Sequence, residues 1–194
     1  ESNAWWSYSP DIKTTKREGD DLLVLVNKEY KLPSGYVPSD LVSASQSGIR
    51  LGEKFLLRSI IIDDLKELLN SAKNDGVDLS IVSGYRSYQE QVTTYKYWVN
   101  YNGGSTDYAD MISARAGHSQ HQLGTAIDFS SAEINDGLSG IFANTQASKW
   151  LNENAWKYGF VISYPEGGEY ATGYSYESWH YRYIGRSNAQ EMIN

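Results

Sequence analysis

The sequence predicts a single α+β domain in which a small, mostly antiparallel sheet is flanked by helices. Its 194 residues correspond to about one domain of ordinary size. Short apolar runs typical of strands alternate irregularly with amphipathic stretches typical of helices, a pattern that favours α+β over regular β–α–β repetition. The chain contains no cysteine, which excludes disulfide frameworks, thiol nucleophiles and iron–sulfur clusters. The core must therefore form by apolar packing without covalent cross-links.

The beginning of the chain differs in composition from the rest. Residues 1–20 are polar and show no periodic apolar pattern, so we expect an arm or linker ahead of the domain at 21–194. Trp5 and Trp6 predict that part of this arm docks, because exposed indole rings are unfavourable. The domain then begins with an apolar run at 21–27, which is rich in leucine and valine and predicts a strand.

Helix and strand signals follow one another through the rest of the chain. Apolar residues at three- to four-residue spacing predict a helix over 53–74, with Gly76 as its stop signal. Residues 77–83 alternate in polarity as a strand does. Ser87 and Glu90 have the spacing of a capping box, which predicts a helix N-terminus. The later predicted elements are helices over 87–101, 108–115 and 144–158, and strands over 124–130, 160–164 and 178–185.

Charge and motif content exclude several classes of function. The chain has 17 Lys and Arg against 24 Asp and Glu, a net charge of −7, so it lacks the basic surface that binds nucleic acid or anionic lipid. No apolar run approaches the ~20 residues of a membrane span. The motifs of serine hydrolases, thermolysin-like proteases and nucleotide-binding enzymes are absent. We therefore expect no nucleic-acid partner and no membrane span in this chain.

Two segments contain the residue types of a metal site. His121 and Asp128 lie in the segment SQHQLGTAID, and His180 ends the segment ESWH that begins at Glu177. Two imidazoles and one carboxylate leave a fourth tetrahedral position for water, as in catalytic zinc sites. We expect such a site in a cleft at the edge of the sheet. Spacing alone leaves the alternative open, because a single histidine is usually structural and strand alternation could turn Asp128 outward.

These segments resemble the signature of the zinc D-alanyl-D-alanine carboxypeptidase family, the VanY-like and LdcB-like enzymes that trim peptidoglycan stem peptides. The patterns S-x-H-x-x-G-x-A-x-D and E-x-x-H stand at 119–128 and 177–180. The sequence SGYRS at 83–87 is similar to the arginine-bearing segment of the family, and residues 25–42 are similar to its N-terminal stretch. The resemblance covers roughly residues 22–186 in the same order.

The resemblance implies an enzyme with one Zn²⁺ ion per chain. His121, Asp128 and His180 are the implied ligands, and Glu177 is the implied catalytic base. Arg86 is implied to grip the terminal carboxylate of the substrate or to stabilise the oxyanion. A guanidinium suits a carboxylate because it donates two parallel hydrogen bonds.

Further residues near these motifs are candidate substrate contacts. Ser119 matches the serine of the family motif, which lines the pocket. Gln91 follows Arg86 by about one turn of the predicted helix, and Tyr176 directly precedes the E-x-x-H motif; we expect both to contact the substrate. His118 falls outside the family pattern, so we expect it to be structural.

The resemblance implies a bacterial cell-wall hydrolase whose partner is a peptidoglycan stem peptide. We expect it to remove the terminal D-alanine, with the L,D reaction on tetrapeptides favoured over the D,D reaction on pentapeptides. The alternatives are a D,D-carboxypeptidase or dipeptidase, a peptidoglycan endopeptidase, and a non-catalytic wall-binding module with a structural zinc. We expect a monomer that works outside the cytoplasm, either secreted or held at the cell surface by a segment before Glu1.

Overall fold

The computed structural model describes residues 4–193 and confirms the α+β class. Within these residues the largest sheet has four strands, and each neighbouring pair is antiparallel. Two further pairs of short strands lie outside this sheet, one parallel and one antiparallel. The strands are β1 (Lys13–Thr14), β2 (Tyr30–Lys31), β3 (Leu41–Ser43), β4 (Leu56–Arg58), β5 (Ser80–Ser83), β6 (Ala126–Ser130), β7 (Phe160–Ile162) and β8 (His180–Tyr183), and the largest sheet has the order β5-β6-β8-β7.

Helices connect most of the strands. The longest begins with the predicted capping box, in which the Ser87 hydroxyl accepts the backbone N–H of Glu90 and the Glu90 carboxylate accepts that of Ser87. No helix within residues 4–193 has the length and apolar character needed to cross a membrane. In chain order the helices are α1 (Ile62–Asn74), α2 (Tyr88–Tyr101), α3 (Thr106–Ile112), α4 (Gln146–Asn154), α5 (Glu169–Thr172) and α6 (Arg186–Ile193).

The main core packs the sheet against α1 and α4. Helix α1 contributes Leu65 and Leu68, and α4 contributes Leu151. From the sheet, Ile127 and Phe129 of β6 are fully buried in the same cluster. Asp128 lies between these two residues and its side chain therefore projects from the opposite face of β6. The apolar layer thus holds β6 in place while leaving that opposite face for polar groups.

The helix predicted over 53–74 begins too early. Its first part contains β4, which pairs with β3, and α1 begins only at Ile62. Leu56 and Ile60 have the spacing of an apolar helix face, but both are exposed. Pairing with a distant strand therefore overrides the local pattern in this segment.

The strand predicted over 21–27 is wrong. This segment has no strand partner among residues 4–193. Val24 and Val26 are buried in a small cluster with Leu32 and Leu123, whereas the neighbouring leucines are exposed. Alternating burial along an extended loop therefore produces the pattern of a strand without the backbone ladder.

The N-terminal arm packs on the domain. Its β1 pairs with β2, and the rings of Trp5 and Trp6 are half-buried and packed edge to face. The Tyr8 hydroxyl accepts the backbone N–H of Arg115 at 2.8 Å. The docking expected from the two tryptophans is therefore observed, while a domain boundary at residue 21 stays a prediction.

Candidate metal centre and substrate cavity

The pairing of β6 with β8 places a carboxylate beside an imidazole. Asp128 and His180 are direct partners in the antiparallel register, so their side chains project from the same face of the sheet. Asp128 Oδ1 lies 3.0 Å from His180 Nδ1. The two residues are 52 positions apart in the sequence, and only strand pairing brings them together.

His121 reaches the same carboxylate from the turn before β6. It lies in a short 3₁₀ helix over Gln120–Leu123, in which the Ser119 hydroxyl accepts the backbone N–H of His121. Gly124 ends this turn in the left-handed conformation, at φ 70°, which glycine adopts without a steric penalty. His121 Nε2 consequently lies 3.2 Å from Asp128 Oδ2.

Hydrogen bonds on the outer side of each imidazole orient its ring. His121 Nδ1 lies 2.8 Å from the carbonyl oxygen of Gly84, and His180 Nε2 lies 2.9 Å from Oε1 of Gln120. Both partners only accept, so in the metal-binding tautomer these two nitrogens carry the protons and donate outward. Nε2 of His121 and Nδ1 of His180 face Asp128 and are the nitrogens that this tautomer leaves for a metal ion.

Gly84 and Gln120 are themselves held in place. A Cβ at Gly84 would lie 2.7 Å from the Leu56 carbonyl oxygen, so only glycine fits this turn between β5 and α2. The Ser163 hydroxyl donates to Oε1 of Gln120 at 2.7 Å, which orients the amide. The backbone around the two histidines is thus arranged so that His121 Nε2 and His180 Nδ1 face the same carboxylate.

The three side chains form a buried donor set that fits a metal ion. Ligand atoms of His121, Asp128 and His180 all lie within 4.8 Å of one another. Two nitrogens and one carboxylate oxygen are the donors of many catalytic zinc sites. Burial opposes ionisation of Asp128, but the two imidazoles lower the pKa of its carboxyl below the usual value. Burial lowers the pKa of His180, which favours the neutral, metal-binding form.

Glu177 lies beside this donor set. Its Oε2 is 3.6 Å from His180 Nδ1, and its side chain lines the same cavity as the three candidate ligands. Burial raises the pKa of Glu177 well above the usual range, and the nearby Asp128 carboxylate raises it further, while Arg86 opposes both. A carboxyl group in this environment can accept a proton and hold it.

Arg86 lies at the start of α2 and is fixed by two side chains. Its Nη1 donates to Gln91 Oε1 at 2.8 Å, and its Nη2 donates to Ser83 Oγ at 2.9 Å. Gln91 is buried, and its Nε2 donates to the Ala114 carbonyl at 2.6 Å. Both ends of the Gln91 amide are therefore engaged. Gln91 thus holds the guanidinium of Arg86, and because it also lines the cavity its expected contact with substrate stays a prediction.

The remaining sequence candidates divide between two places. Ser119 lines the cavity with the donor set. Tyr176 lines a separate recess with Glu166, so its expected contact with substrate is not supported by its position. In the extended segment before β8, Ser175 and Glu177 point into the cavity and Tyr176 lies between them, on the opposite side. Proximity to the motif in sequence does not give the side on which a residue of this segment lies, so the contact expected of Tyr176 stays a prediction.

His118 is structural, as its position outside the motif predicts. Its Nδ1 lies 2.7 Å from the Asn27 carbonyl oxygen, and its ring packs edge to face on Tyr8. These contacts place His118 against the N-terminal arm and away from the neighbouring His121.

A cavity of about 290 Å³ opens in front of the donor set. Residues outside the motifs form much of its wall, and the only sequence signal for them is the abundance of tyrosine and tryptophan, with 16 and 6 residues in the chain. Tyr164 packs on the His180 ring at a centroid distance of 4.9 Å. The other aromatic residues of the wall are Trp98, Tyr108, Tyr174 and Trp179.

The sequence model of the VanY family, described as D-alanyl-D-alanine carboxypeptidase, matches residues 54–186. The chain belongs to this family. The expected resemblance is thereby confirmed, and with it the expected class of enzyme, a metallo-carboxypeptidase. The match includes Arg86, the three candidate ligands and Glu177, which the structure places around one cavity.

Individual relatives cover nearly all of this VanY-family chain. YodJ of Bacillus subtilis strain 168 is 40% identical over 190 residues, which are 94% of this chain and 69% of YodJ. A D-alanyl-D-alanine carboxypeptidase of Enterococcus faecium is 34% identical over 88% of this chain. The chain spans about half, 53%, of the length of the Enterococcus faecium protein.

Three solved structures share the fold of this VanY-family chain. The LdcB LD-carboxypeptidase has a TM-score of 0.81 and 35% identity, covering 96% of this chain and 92% of its own. VanYB in complex with D-alanine-D-alanine has a TM-score of 0.73 and 31% identity, covering 89% and 91%. A VanY D,D-pentapeptidase variant in complex with Zn(II) has a TM-score of 0.70 and 30% identity, covering 90% and 93%.

Gln120 provides a test of the donor geometry. In Gln120→Ala the buried Nε2–H of His180 loses its acceptor, and we expect zinc affinity to fall about 10- to 100-fold. Gln120→Glu keeps an oxygen acceptor and should retain most of the affinity. Competition with a chromophoric chelator measures both variants. Equal losses in the two variants would show that Gln120 does not act through an acceptor oxygen.

Proposed function

We propose that this chain is a zinc-dependent carboxypeptidase that removes the terminal D-alanine from peptidoglycan stem peptides. The observation that carries the proposal is the convergence of three groups on one cavity. These are a donor set suited to zinc, a carboxyl beside it that can take up a proton, and an arginine held for a carboxylate. The residues concerned are His121, Asp128, His180, Glu177 and Arg86.

The residues of the chain divide the chemistry between them. A zinc ion held by the donor set would act as a Lewis acid towards the scissile carbonyl. Glu177 is the base: it takes a proton from the attacking water and returns it to the amine of the leaving D-alanine. Its raised pKa suits this second step, because a group that binds its proton firmly can carry it to the leaving amine. The aromatic wall, including the buried Tyr164 and the partly buried Trp179, limits access of bulk water to the reacting groups.

Arg86 gives the reaction its exopeptidase character. A free C-terminal carboxylate matches a guanidinium in charge and in geometry. Ser83 and Gln91 hold the side chain, so little conformational entropy is lost when the substrate binds. The reduced entropic cost favours substrates that end in a carboxylate.

The L,D reaction on tetrapeptides is favoured over the D,D reaction on pentapeptides. The support is the similarity to the LdcB LD-carboxypeptidase, whose fold covers 96% of this chain at a TM-score of 0.81. The relatives that act on D-alanyl-D-alanine share the same family and a similar fold. The choice between the two substrates therefore depends on the shape of the cavity and not on the metal site.

Two other functions fit the structure less well. An endopeptidase that cuts within the stem peptide would have no terminal carboxylate for Arg86 to bind. A wall-binding module with a structural zinc would close all four ligand positions with cysteine and histidine. Here the donor set has three members, and it borders a cavity that also holds Glu177.

The proposed substrate also indicates where the enzyme works. Peptidoglycan stem peptides are displayed outside the cytoplasm, so we propose an extracytoplasmic location. We propose further that the chain acts as a monomer, because each of the five site residues comes from the same chain.

Purified tetrapeptide and pentapeptide muropeptides test the function directly. We expect release of D-alanine from the tetrapeptide at the higher kcat/KM, and loss of the activity with a chelator. Mass spectrometry of the products measures both substrates in parallel. A zinc-loaded protein that releases D-alanine from neither substrate would contradict the proposal.

Glu177 and His180 have separable roles that mutation can distinguish. In Glu177→Gln we expect zinc to be retained and kcat to fall at least about 100-fold, because the base is removed and the ligands are kept. In His180→Ala we expect both zinc and turnover to be lost. Metal content by mass spectrometry, with kcat on the tetrapeptide, checks the two variants. Loss of zinc from Glu177→Gln would make Glu177 a ligand.

Arg86 is expected to act on the terminal carboxylate. Arg86→Ala should lower kcat/KM about 10- to 100-fold on the free-acid tetrapeptide, as expected for charged hydrogen bonds, and far less on the C-terminally amidated peptide. Arg86→Lys keeps the positive charge but lacks the two parallel donors of a guanidinium. Its kcat/KM on the free-acid tetrapeptide should lie between those of the wild type and Arg86→Ala. Equal losses on the acid and the amide would exclude carboxylate recognition.

A further inference from the structure

Aromatic rings continue from the cavity onto the exposed surface of α2. Trp98 lines the cavity, and the rings of Tyr97 and Tyr101 pack edge to face against it at centroid distances of 5.1 and 5.7 Å. The Tyr97 and Tyr101 rings are themselves stacked, with centroids 6.0 Å apart and an interplanar angle of 26°. They are 56% and 69% exposed. We call Tyr97 and Tyr101 the tyrosine platform.

The platform lies at the open end of the cavity. Tyr108 and Leu138 line the cavity yet are about half exposed, so they mark its mouth. Trp98 is also a cavity residue, and the platform packs directly against it. The platform is therefore continuous with the site and is not an isolated apolar patch.

The dimensions of α2 match the length of a stem peptide. Gln91, Thr94 and Trp98 line the cavity from one face of this helix. At about 1.5 Å per residue, Gln91 and Trp98 are separated by about 10 Å along the axis. A substrate whose carboxylate reaches Arg86, beside Gln91, spans at most about 14 Å as an extended tetrapeptide. Its N-terminal end then lies close to Trp98 and the platform.

We propose that the tyrosine platform binds the sugar to which the stem peptide is attached, an N-acetylated amino sugar of the glycan strand. This inference rests on the proposed function and adds a glycan subsite to it. The N-terminus of the stem peptide is linked to that sugar. The protein surface next to Trp98, on the side away from Arg86, therefore faces a sugar ring when the substrate is bound. Stacked tyrosines offer a flat apolar face for the C–H groups of a sugar and hydroxyls for its polar edge. Among residues 4–193 neither platform hydroxyl forms a hydrogen bond.

The chain contains a matched control for the platform. Tyr170 is 86% exposed and lies in α5, where it lines a different recess beside the N-terminal arm. Its replacement removes the same side chain from a surface away from the cavity mouth.

The experiment compares a free tetrapeptide with the same tetrapeptide carried on its disaccharide. For the wild type we expect a higher kcat/KM on the disaccharide-linked substrate. In the double variant Tyr97→Ala/Tyr101→Ala the ratio of the two kcat/KM values should fall about tenfold. Tyr170→Ala should keep the wild-type ratio. Circular dichroism and Tm establish that each variant is folded.

A second measurement keeps this inference separate from the proposed function. Binding of the disaccharide-linked tetrapeptide by calorimetry, in the Glu177→Gln background, tests the platform even if neither substrate is hydrolysed. Weaker binding by the double variant supports the subsite. Three results would overturn the inference. The wild type could have the same kcat/KM on both substrates, the double variant could lose kcat/KM equally on both, or the double variant could bind the disaccharide-linked tetrapeptide as tightly as the wild type does. Equal losses of kcat/KM on both substrates would mean that the platform stabilises α2. Unchanged binding of the disaccharide-linked tetrapeptide would mean that the platform binds a different partner.

Discussion

The site depends on one buried interaction, the carboxylate of Asp128 between the imidazoles of His121 and His180. A charged carboxylate in a protein interior is strongly unfavourable unless it is paired. Each of its oxygens faces one imidazole, at 3.2 and 3.0 Å. The contacts of this carboxylate with the two imidazoles join three parts of the fold: β6, β8 and the turn before β6. The same arrangement brings two ring nitrogens and a carboxylate to one point, so the groups that pair within the fold are also the candidate ligands of a metal ion.

Aromatic contacts extend from this centre to the N-terminal arm. The Tyr164 ring packs between those of His180 and Tyr174, and the hydroxyls of Tyr174 and Tyr8 are 3.2 Å apart. The buried ammonium of Lys28 lies over the rings of Tyr8 and Tyr174. The arm precedes the segment matched by the family sequence model, yet it supports one wall of the cavity. Its role is therefore closer to part of the site than to a linker.

The candidate site was more predictable than the surrounding loops. Residue types and spacing pointed to the donor set, and the resemblance to the VanY family implied the roles of Glu177 and Arg86. Gln91 and Gln120 were harder, since an amide can contact substrate, protein or water equally well. Gln91 holds Arg86, and Gln120 holds His180. Neither the residue type of these glutamines nor their spacing from Arg86 and His180 in the sequence reveals which side chain each one binds.

The sequence by itself determined the inventory: no cysteine, two histidines in motifs, a capping box and a net charge of −7. These follow from residue identity and from interactions over about four positions. The tertiary structure decided that 56–58 is a strand, that Tyr176 lines a separate recess, and which nitrogen of each histidine faces Asp128. Those outcomes depend on strand pairing and hydrogen bonds between residues far apart in the chain, whose energies no local pattern contains.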